Sequence, residues 1–383
     1  MLEIRPIESK RDIRAFIRFN YHLYKGNKYA VPDFLEDMRD SFDRKKNPAF
    51  DFCDAQLWLA YRDGKIVGRI AGIINHRANE RWNNLNVRFG YIDFVDDLEV
   101  STLLLQTVEQ WGRERGMTKI VGPLGFTDMD PEGMLIEGFD QLSTMSEIYN
   151  YPYYPRHMEQ LGFLKETDWQ ERKVMVPTEG HEADMAKYMR VAELSAKRYN
   201  LHLRKFKNNS ELMHAHDGRY PIELMEIINK TYKDLYGFVE MTDRQLRVYA
   251  DQYIRFLDPR LLSVVENADG EAIAMGVSIG SMSTALQKAH GTLFPFGWWH
   301  LLKALYFKRS PIVDMLLVGV LPEYQNKGVN AMLFADLIPT YQKMGFVWGE
   351  THNILEDNIK NQQQWAYLDS PIHKRRRCWG KAL

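Results

Sequence analysis

The chain has 383 residues, 45% hydrophobic and 26% charged, a balance that excludes an intrinsically disordered protein and leaves room for two domains. Lys and Arg number 50 against 51 Asp and Glu, so the net charge is −1 and a general attraction to nucleic acid or anionic membrane is not indicated. The two cysteines, Cys53 and Cys378, lie far apart in no metal-ligand spacing, which excludes a disulfide framework and a structural zinc site and fits a cytoplasmic location.

The N-terminus, MLEIRPIESKRDIRAF, alternates charged and apolar residues and lacks the apolar core of a secretory signal. Leu57–Asn75 places two strand-type apolar runs around Asp63-Gly64, the signature of a tight β-hairpin. Arg88–Val95 reads as a strand. Val100, Leu103, Leu104, Val108 and Trp111 then form one apolar helical face, in a helix stopping at Arg115-Gly116. A short strand, Ile120–Gly122, and a helix, Tyr153–Gly162, follow. The aromatics of IYNYPYYPRH read as packing against a domain face.

After VPTEGHEAD (around Pro177–His181) the same order returns. Leu261–Ser281 is a second hairpin around Asp269-Gly270, and Ile312–Leu321 a strand. Val329, Met332, Leu333 and Tyr341 mark a helix ending at Met344-Gly345, followed by a strand at Val347–Glu350 and a helix over Ile359–Asp369. The repetition predicts two α/β domains of similar topology, 1–176 and 177–383. The second carries an insertion, Ala285–Arg309, centred on FPFGWWHLLKALYF. Its apolar run is too short to span a bilayer, and burial between the two copies is the plain expectation. The run His373–Arg377 is expected as a charged final strand at a sheet edge.

Chemistry is concentrated in Asp314–Leu333, DMLLVGVLPEYQNKGVNAML. A strand runs into Pro322, and Gln325-Asn326-Lys327-Gly328-Val329-Asn330 opens a helix. Such a loop presents unpaired backbone N–H groups at the positive end of the helix dipole, a site suited to phosphate. Gly328 permits close approach of the backbone, and Lys327 adds a point charge. Read alone, the same stretch is also an ordinary strand-to-helix turn. Pro339 falls inside the following helix, where it removes one hydrogen bond.

These residues resemble motif A of the GNAT superfamily of acyl-CoA N-acyltransferases: a strand, a proline, then Gln/Arg-x-x-Gly-x-Gly/Ala opening a helix. Gln325 and Gly328 match, and Asn330 departs. The flanking elements extend the likeness over most of the chain as a tandem pair, each domain a mixed, mostly antiparallel sheet flanked by helices. In the first copy the corresponding positions are acidic, Asp96-Asp97-Leu98-Glu99-Val100, so only the second copy is expected to hold the cofactor.

The resemblance implies acetyl-CoA or CoA as co-substrate, with no metal. It implies CoA contacts from Leu317, Val318, Val320, Gln325, Asn326, Lys327, Gly328, Val329, Asn330 and Asn358, a backbone N–H of Leu317 or Val318 polarising the thioester carbonyl. Deprotonating the amine requires a base. Glu350 and His352, two apart in WGETHN, share one face of a strand and are the candidates, beside the reading of a surface glutamate and a strand-end histidine. The family's thiol acid, a tyrosine seven residues after the asparagine, falls on Trp365; Tyr367 is the nearest hydroxyl.

The expected activity is direct acyl transfer, most simply acetyl, to an amine of a small or amino-acid-like molecule in a ternary complex. Neither nucleic acid nor membrane is an expected partner, and a homodimer is left open. Two alternatives stand: a Fem-like aminoacyl-tRNA-dependent transferase, and a non-catalytic CoA-binding protein.

Overall fold

The computed structural model describes residues 1–177, 182–307, 309–365 and 368–383. In chain order its strands are β1 (Leu2–Pro6), β2 (Cys53–Arg62), β3 (Lys65–Asn75), β4 (Asn86–Phe94), β5 (Lys119–Gly122), β6 (Met134–Glu137), β7 (Leu164–Met175), β8 (His202–Arg204), β9 (Leu262–Glu266), β10 (Ala272–Gly280), β11 (Ile312–Val320), β12 (Trp348–Thr351), β13 (Ile354–Leu355) and β14 (Ile372–Ala382). They belong to two compact units, neither a continuous run of chain as a single boundary at 176/177 would have it. Unit 1 is Met1–Gln170 with Met282–Lys308 and His373–Leu383; unit 2 is Glu171–Ser281 with Arg309–Ile372.

In unit 1 the strands run in the order β1-β2-β3-β4-β5-β14. The β2–β3 turn is as tight as the sequence predicts, with Asp63 at φ 50° and Gly64 at φ 78°, the left-handed pair that matches strand twist. β4 and β5 are parallel, from Asn86–Arg88 to Lys119–Val121. The helix Leu98–Arg113 buries Val100, Leu104, Leu105 and Val108 against Ile70, Val87, Phe89 and Phe94. The helix Lys10–Leu23, started by a Ser9/Asp12 capping box, brings Phe16 and Ile17 onto Leu59, Ala71 and Ile73.

A charged cluster lies inside this unit. Arg69 and Asp93 are both buried, with a guanidinium–carboxylate distance of 2.6 Å. Asn20 donates to Asp93 Oδ2, the Tyr24 and Tyr154 hydroxyls to Oδ1, and Arg69 also donates to the Phe16 carbonyl. Burial, with the Asp93 charge beside them, pushes both phenols well above their usual range and keeps them as donors. Removing one side of such a pair strands the other charge. Arg69→Met is therefore expected to cost about 3–5 kcal/mol, read as a lowered urea midpoint, with the Asp93→Asn/Arg69→Met double variant recovering part of it.

Unit 2 repeats the plan. Its order is β12-β11-β10-β9-β8, with Lys173–Met175 of β7 antiparallel to Trp348–Glu350. Here β11 and β12 are the parallel pair, from Ile312–Met315 to Trp348–Thr351. The helix Val329–Met344 sets Leu337 and Tyr341 against Val313, Phe346 and Leu261. It tolerates Pro339 because that residue faces solvent, and it ends on Gly345 at φ 79°.

Four expectations need correction. The second hairpin is wider than a two-residue turn: Asn267–Glu271 form the loop, Asn267 Oδ1 accepts the Asp269 and Glu271 amides, and only Gly270 is left-handed. The last helix is short, Ile359–Gln363 rather than Ile359–Asp369. The basic run near the C-terminus is a strand but no exposed edge. Within unit 1, β14 pairs with β5 and β6, Lys374 and Arg376 are buried, and Arg375, Arg376 and Arg377 pair with Glu137, Glu147 and Asp168. Finally, the aromatics of the insertion are exposed: Phe294 78%, Phe296 72% and Phe307 76%.

Both cysteines are buried, and burial pushes the Cys53 thiol up to about 12. Since the thiolate is the reactive form, the native protein is expected to resist 5,5′-dithiobis(2-nitrobenzoate), both thiols reacting only after unfolding.

Candidate functional site

The fork between β11 and β12 defines the site. Their ladder ends at Met315–Thr351, where the His352 N–H donates to the Met315 carbonyl at 3.0 Å. Beyond it β11 continues from Leu316 to Val320 with β10 as its one strand partner among the described residues, and a bulge between Val277 and Ser278 turns the strand at this point. Leu317 and Val318 thus lie on a half-strand whose second edge has no strand partner among the described residues, with the Tyr232 hydroxyl donating to the Val318 carbonyl at 3.1 Å; the rest of that edge is where an extended ligand can add main-chain contacts.

At the end of β11, Pro322–Tyr324 make one 3-10 turn and the loop enters the helix Val329–Met344 through Gly328. Asn326 at φ 60° and Gly328 at φ 75° are left-handed on either side of Lys327. Such alternation points successive amides into one concavity, a nest for an anionic oxygen. Among the described residues nothing accepts from the N–H groups of Asn326, Lys327, Gly328, Val329 and Asn330. The helix behind them has 16 residues, so its dipole adds partial positive charge at the same point.

The side chains of this loop are held within unit 2. Gln325 Nε2 donates to the Val320 carbonyl at 3.1 Å and its Oε1 accepts from Lys360 at 3.4 Å, so the side chain ties the loop to the strand end. The Lys327 ammonium lies over the rings of Tyr199 and Tyr324, 5.0 and 5.1 Å from their centroids. The Lys327 carbonyl accepts from Ser195 at 2.7 Å. Asn330 Nδ2 meets Gln364 Oε1 at 3.5 Å, and Asn358 caps the helix Ile359–Gln363 by accepting the Asn361 amide. The structure therefore gathers Gln325–Asn330 and the segment begun by Asn358 around one end of the fork. Lys360, a second cation at this rim, carried no signal in the sequence beyond its place after Asn358.

Glu350 is buried on β12, in register with Asp314 on β11 and Lys173 on β7. Register partners share a sheet face, so two buried carboxylates stand side by side at the root of the fork. Asp314, given no role by the sequence, is a second buried carboxylate beside Glu350, a pairing legible only once β11 and β12 lie side by side. His352 lies one residue beyond the strand. From strand rise and spacing, Leu317 is roughly 10 Å along the fork from Glu350, within reach through a bound amine or water. At the position of the family tyrosine, Trp365 is buried against Phe334 and donates its indole N–H to Asn361. Tyr367 lies outside the described residues.

The corresponding place in unit 1 is closed by its own side chains. Asp97 caps the helix Leu98–Arg113, and Arg62 pairs with both Asp97 and Glu99. The Tyr154 hydroxyl accepts the Phe94 amide and its ring stacks on Phe94 at 4.2 Å. Tyr149 meets Tyr151 edge to face, Tyr151 stacks on Tyr153, and Tyr153 lies tilted against Tyr154, as expected for a packing role.

No family model matches the chain. A solved tandem GNAT protein from the clavulanic acid biosynthesis pathway superposes with a TM-score of 0.57 at 12% identity, over 100% of this chain and 98% of its own. The fold is the tandem GNAT fold. Within it, the loop at the head of the unit 2 helix leaves its amides without acceptors among the described residues, whereas the corresponding place in unit 1 is filled by Arg62, Asp97 and Glu99. The chain is also similar along its whole length to two curated proteins. It is 29% identical to Protein YghO of Escherichia coli over 389 residues, 99% of this chain and 95% of that protein. It is likewise 29% identical to a bacterial ceramide synthase of Caulobacter vibrioides over 391 residues, 100% of this chain and 98% of that protein.

Proposed function

We propose that unit 2 is an acyl-CoA-dependent N-acyltransferase centre. One observation carries the reading: five consecutive amides, Asn326–Asn330, that find no acceptor among the described residues, at the head of a long helix that adjoins the half of β11 beyond its ladder with β12. The nest receives the pyrophosphate, and the pantetheine amides extend along Leu316–Val320 as a strand would. The thioester carbonyl then lies at Leu317 or Val318, whose N–H stabilises the oxyanion that forms when the amine attacks. Glu350 takes the amine proton directly or through water, with Asp314 and His352 beside it. The tetrahedral intermediate collapses to an amide and CoA thiolate, which leaves as the free thiol after gaining a proton.

The name of one relative supports a reading of the acceptor. Ceramide is an N-acylated long-chain amino alcohol, and a relative of full length bears the name of a ceramide synthase. We therefore read the acceptor as a long-chain amine and the donor as a long-chain acyl-CoA, in place of acetyl-CoA and a small amine. Against the Fem-like alternative stand the retained Gln325 and Gly328 and the neutral overall charge; the arginines of the C-terminal run are committed to carboxylates within unit 1.

The test is release of CoA thiol, measured with acetyl- and palmitoyl-CoA against a panel of small amines and long-chain amino alcohols. The buried cysteines keep the thiol background low. Turnover with palmitoyl-CoA and an amino alcohol, at least about tenfold above acetyl-CoA, supports the substrate reading; acetyl-CoA with a small amine as the best pair returns it to the simpler acetyltransferase. Absence of CoA binding by calorimetry sinks the centre itself.

A further inference from the structure

The segment Thr292–Phe307 is anchored firmly at its base and left bare at its tip. Gln287 donates to the carbonyls of Lys28 and Ala30, and the Leu35 amide donates to Gly291. A side chain at Gly291 would sit 2.3 Å from the Asp33 carbonyl, so the two backbones are in direct apposition. From this base the chain projects Phe294, Phe296, Trp298, Trp299, Leu302 and Phe307, all exposed, with Trp299 lying against both Trp298 and Phe307. Folding alone gives no reason to keep so many large apolar side chains in water, and a contiguous patch of this kind marks a contact surface.

Charge indicates what it contacts. No Asp or Glu occurs between Glu271 and Asp314, whereas Lys288, Lys303, Lys308 and Arg309 all do. Lys288 and Lys303 are exposed, Lys303 within the same segment as the aromatics and Lys288 four residues before it. A two-fold contact with a second copy of this chain would lay these cations against the same cations, with no carboxylate of the segment to pair them. An anionic bilayer surface supplies the opposite charge and, beneath the headgroups, the apolar layer. Trp and Phe settle at that boundary while Lys side chains reach the phosphates. The helix Gly297–Leu302 and the turn after it are far too short to span, and no described helix is long and apolar enough to cross a membrane.

We propose that Thr292–Phe307 docks unit 1 on an anionic lipid surface, lying in the interface without crossing it. The overall charge of −1 gives no hint of this, because the cations are local. The proposal is independent of the reaction at unit 2, since docking is read without substrate.

The experiment is flotation of the full chain with vesicles of phosphatidylcholine containing about 30 mol% phosphatidylglycerol, against phosphatidylcholine alone. Binding to the anionic vesicles should exceed that to the neutral ones at least tenfold and weaken with salt. The tryptophan emission should shift to the blue and be quenched by brominated acyl chains. Phe294→Ser/Phe296→Ser/Phe307→Ser and, separately, Lys303→Glu should each reduce binding at least tenfold, with melting temperature and CoA binding unchanged because the residues are exposed. Lys303→Glu keeps the test decisive if the triple variant fails to fold. Absence of vesicle binding, equal binding to both vesicle types, unchanged binding by the variants, or a solution dimer split by the triple variant would each overturn the proposal.

Discussion

Gly328→Ala is expected to weaken CoA binding about 100-fold. Gly328 sits at φ 75°, and an added Cβ would lie 2.4 Å from Ser195 Oγ and 2.8 Å from Val191 Cγ1. Neither neighbour yields easily: Ser195 is held by its bond to the Lys327 carbonyl, and Val191 belongs to a helix packed along Val329–Met344. The loop must therefore move, and its amides lose their common focus. Two charge-assisted hydrogen bonds at about 1.5 kcal/mol each amount to about 3 kcal/mol, which is the stated factor. Left-handed strain also costs roughly 1 kcal/mol of stability, so a control must separate the two effects. Gly345→Ala provides it: φ is 79° at the other end of the same helix, and nothing lies within 4 Å of its Cβ. Both variants should melt slightly earlier by differential scanning calorimetry, and only Gly328→Ala should lose CoA affinity by isothermal titration. If Gly328→Ala binds CoA as the parent does, the nest is not the phosphate site.

Why this loop was legible, and other parts were not, follows from range. Gln325–Asn330 announces itself because proline, glycine and helix onset are all set by neighbours in the chain. The first hairpin was equally plain, since Asp63-Gly64 dictates its own turn. By contrast, β14 pairs Trp379 with Gly122 and Ala382 with Lys119. No local pattern of HKRRRCWGK carries that partnership, and a row of cations is read as solvated until Glu137, Glu147 and Asp168 come into view. The Asp314–Glu350 register is of the same kind: two acids each buried on an apolar strand become one feature only when β11 and β12 lie parallel. The insertion failed for another reason. Apolar composition argues for burial inside the protein, but composition alone does not tell protein interior from another apolar phase.

Glu350→Gln is expected to lower kcat by about 10²–10⁴-fold while leaving CoA affinity unchanged, the range typical of losing a positioned proton acceptor. The substitution preserves shape, which matters because Glu350 is 3% exposed between Asp314 and Lys173. A second variant separates chemistry from packing. Glu350→Asp keeps the carboxylate and withdraws it by one methylene. If the group accepts the amine proton, activity falls in the order Glu, Asp, Gln, because Asp retains basicity at a poorer distance. If the group only fills space and orders the fork, the order of Asp and Gln reverses, since the isosteric amide disturbs packing less. Single-turnover rates with pre-bound acyl-CoA measure this order without interference from product release. Retention of the parental rate by Glu350→Gln would move the search for the base to Asp314, tested by Asp314→Asn in the same assay.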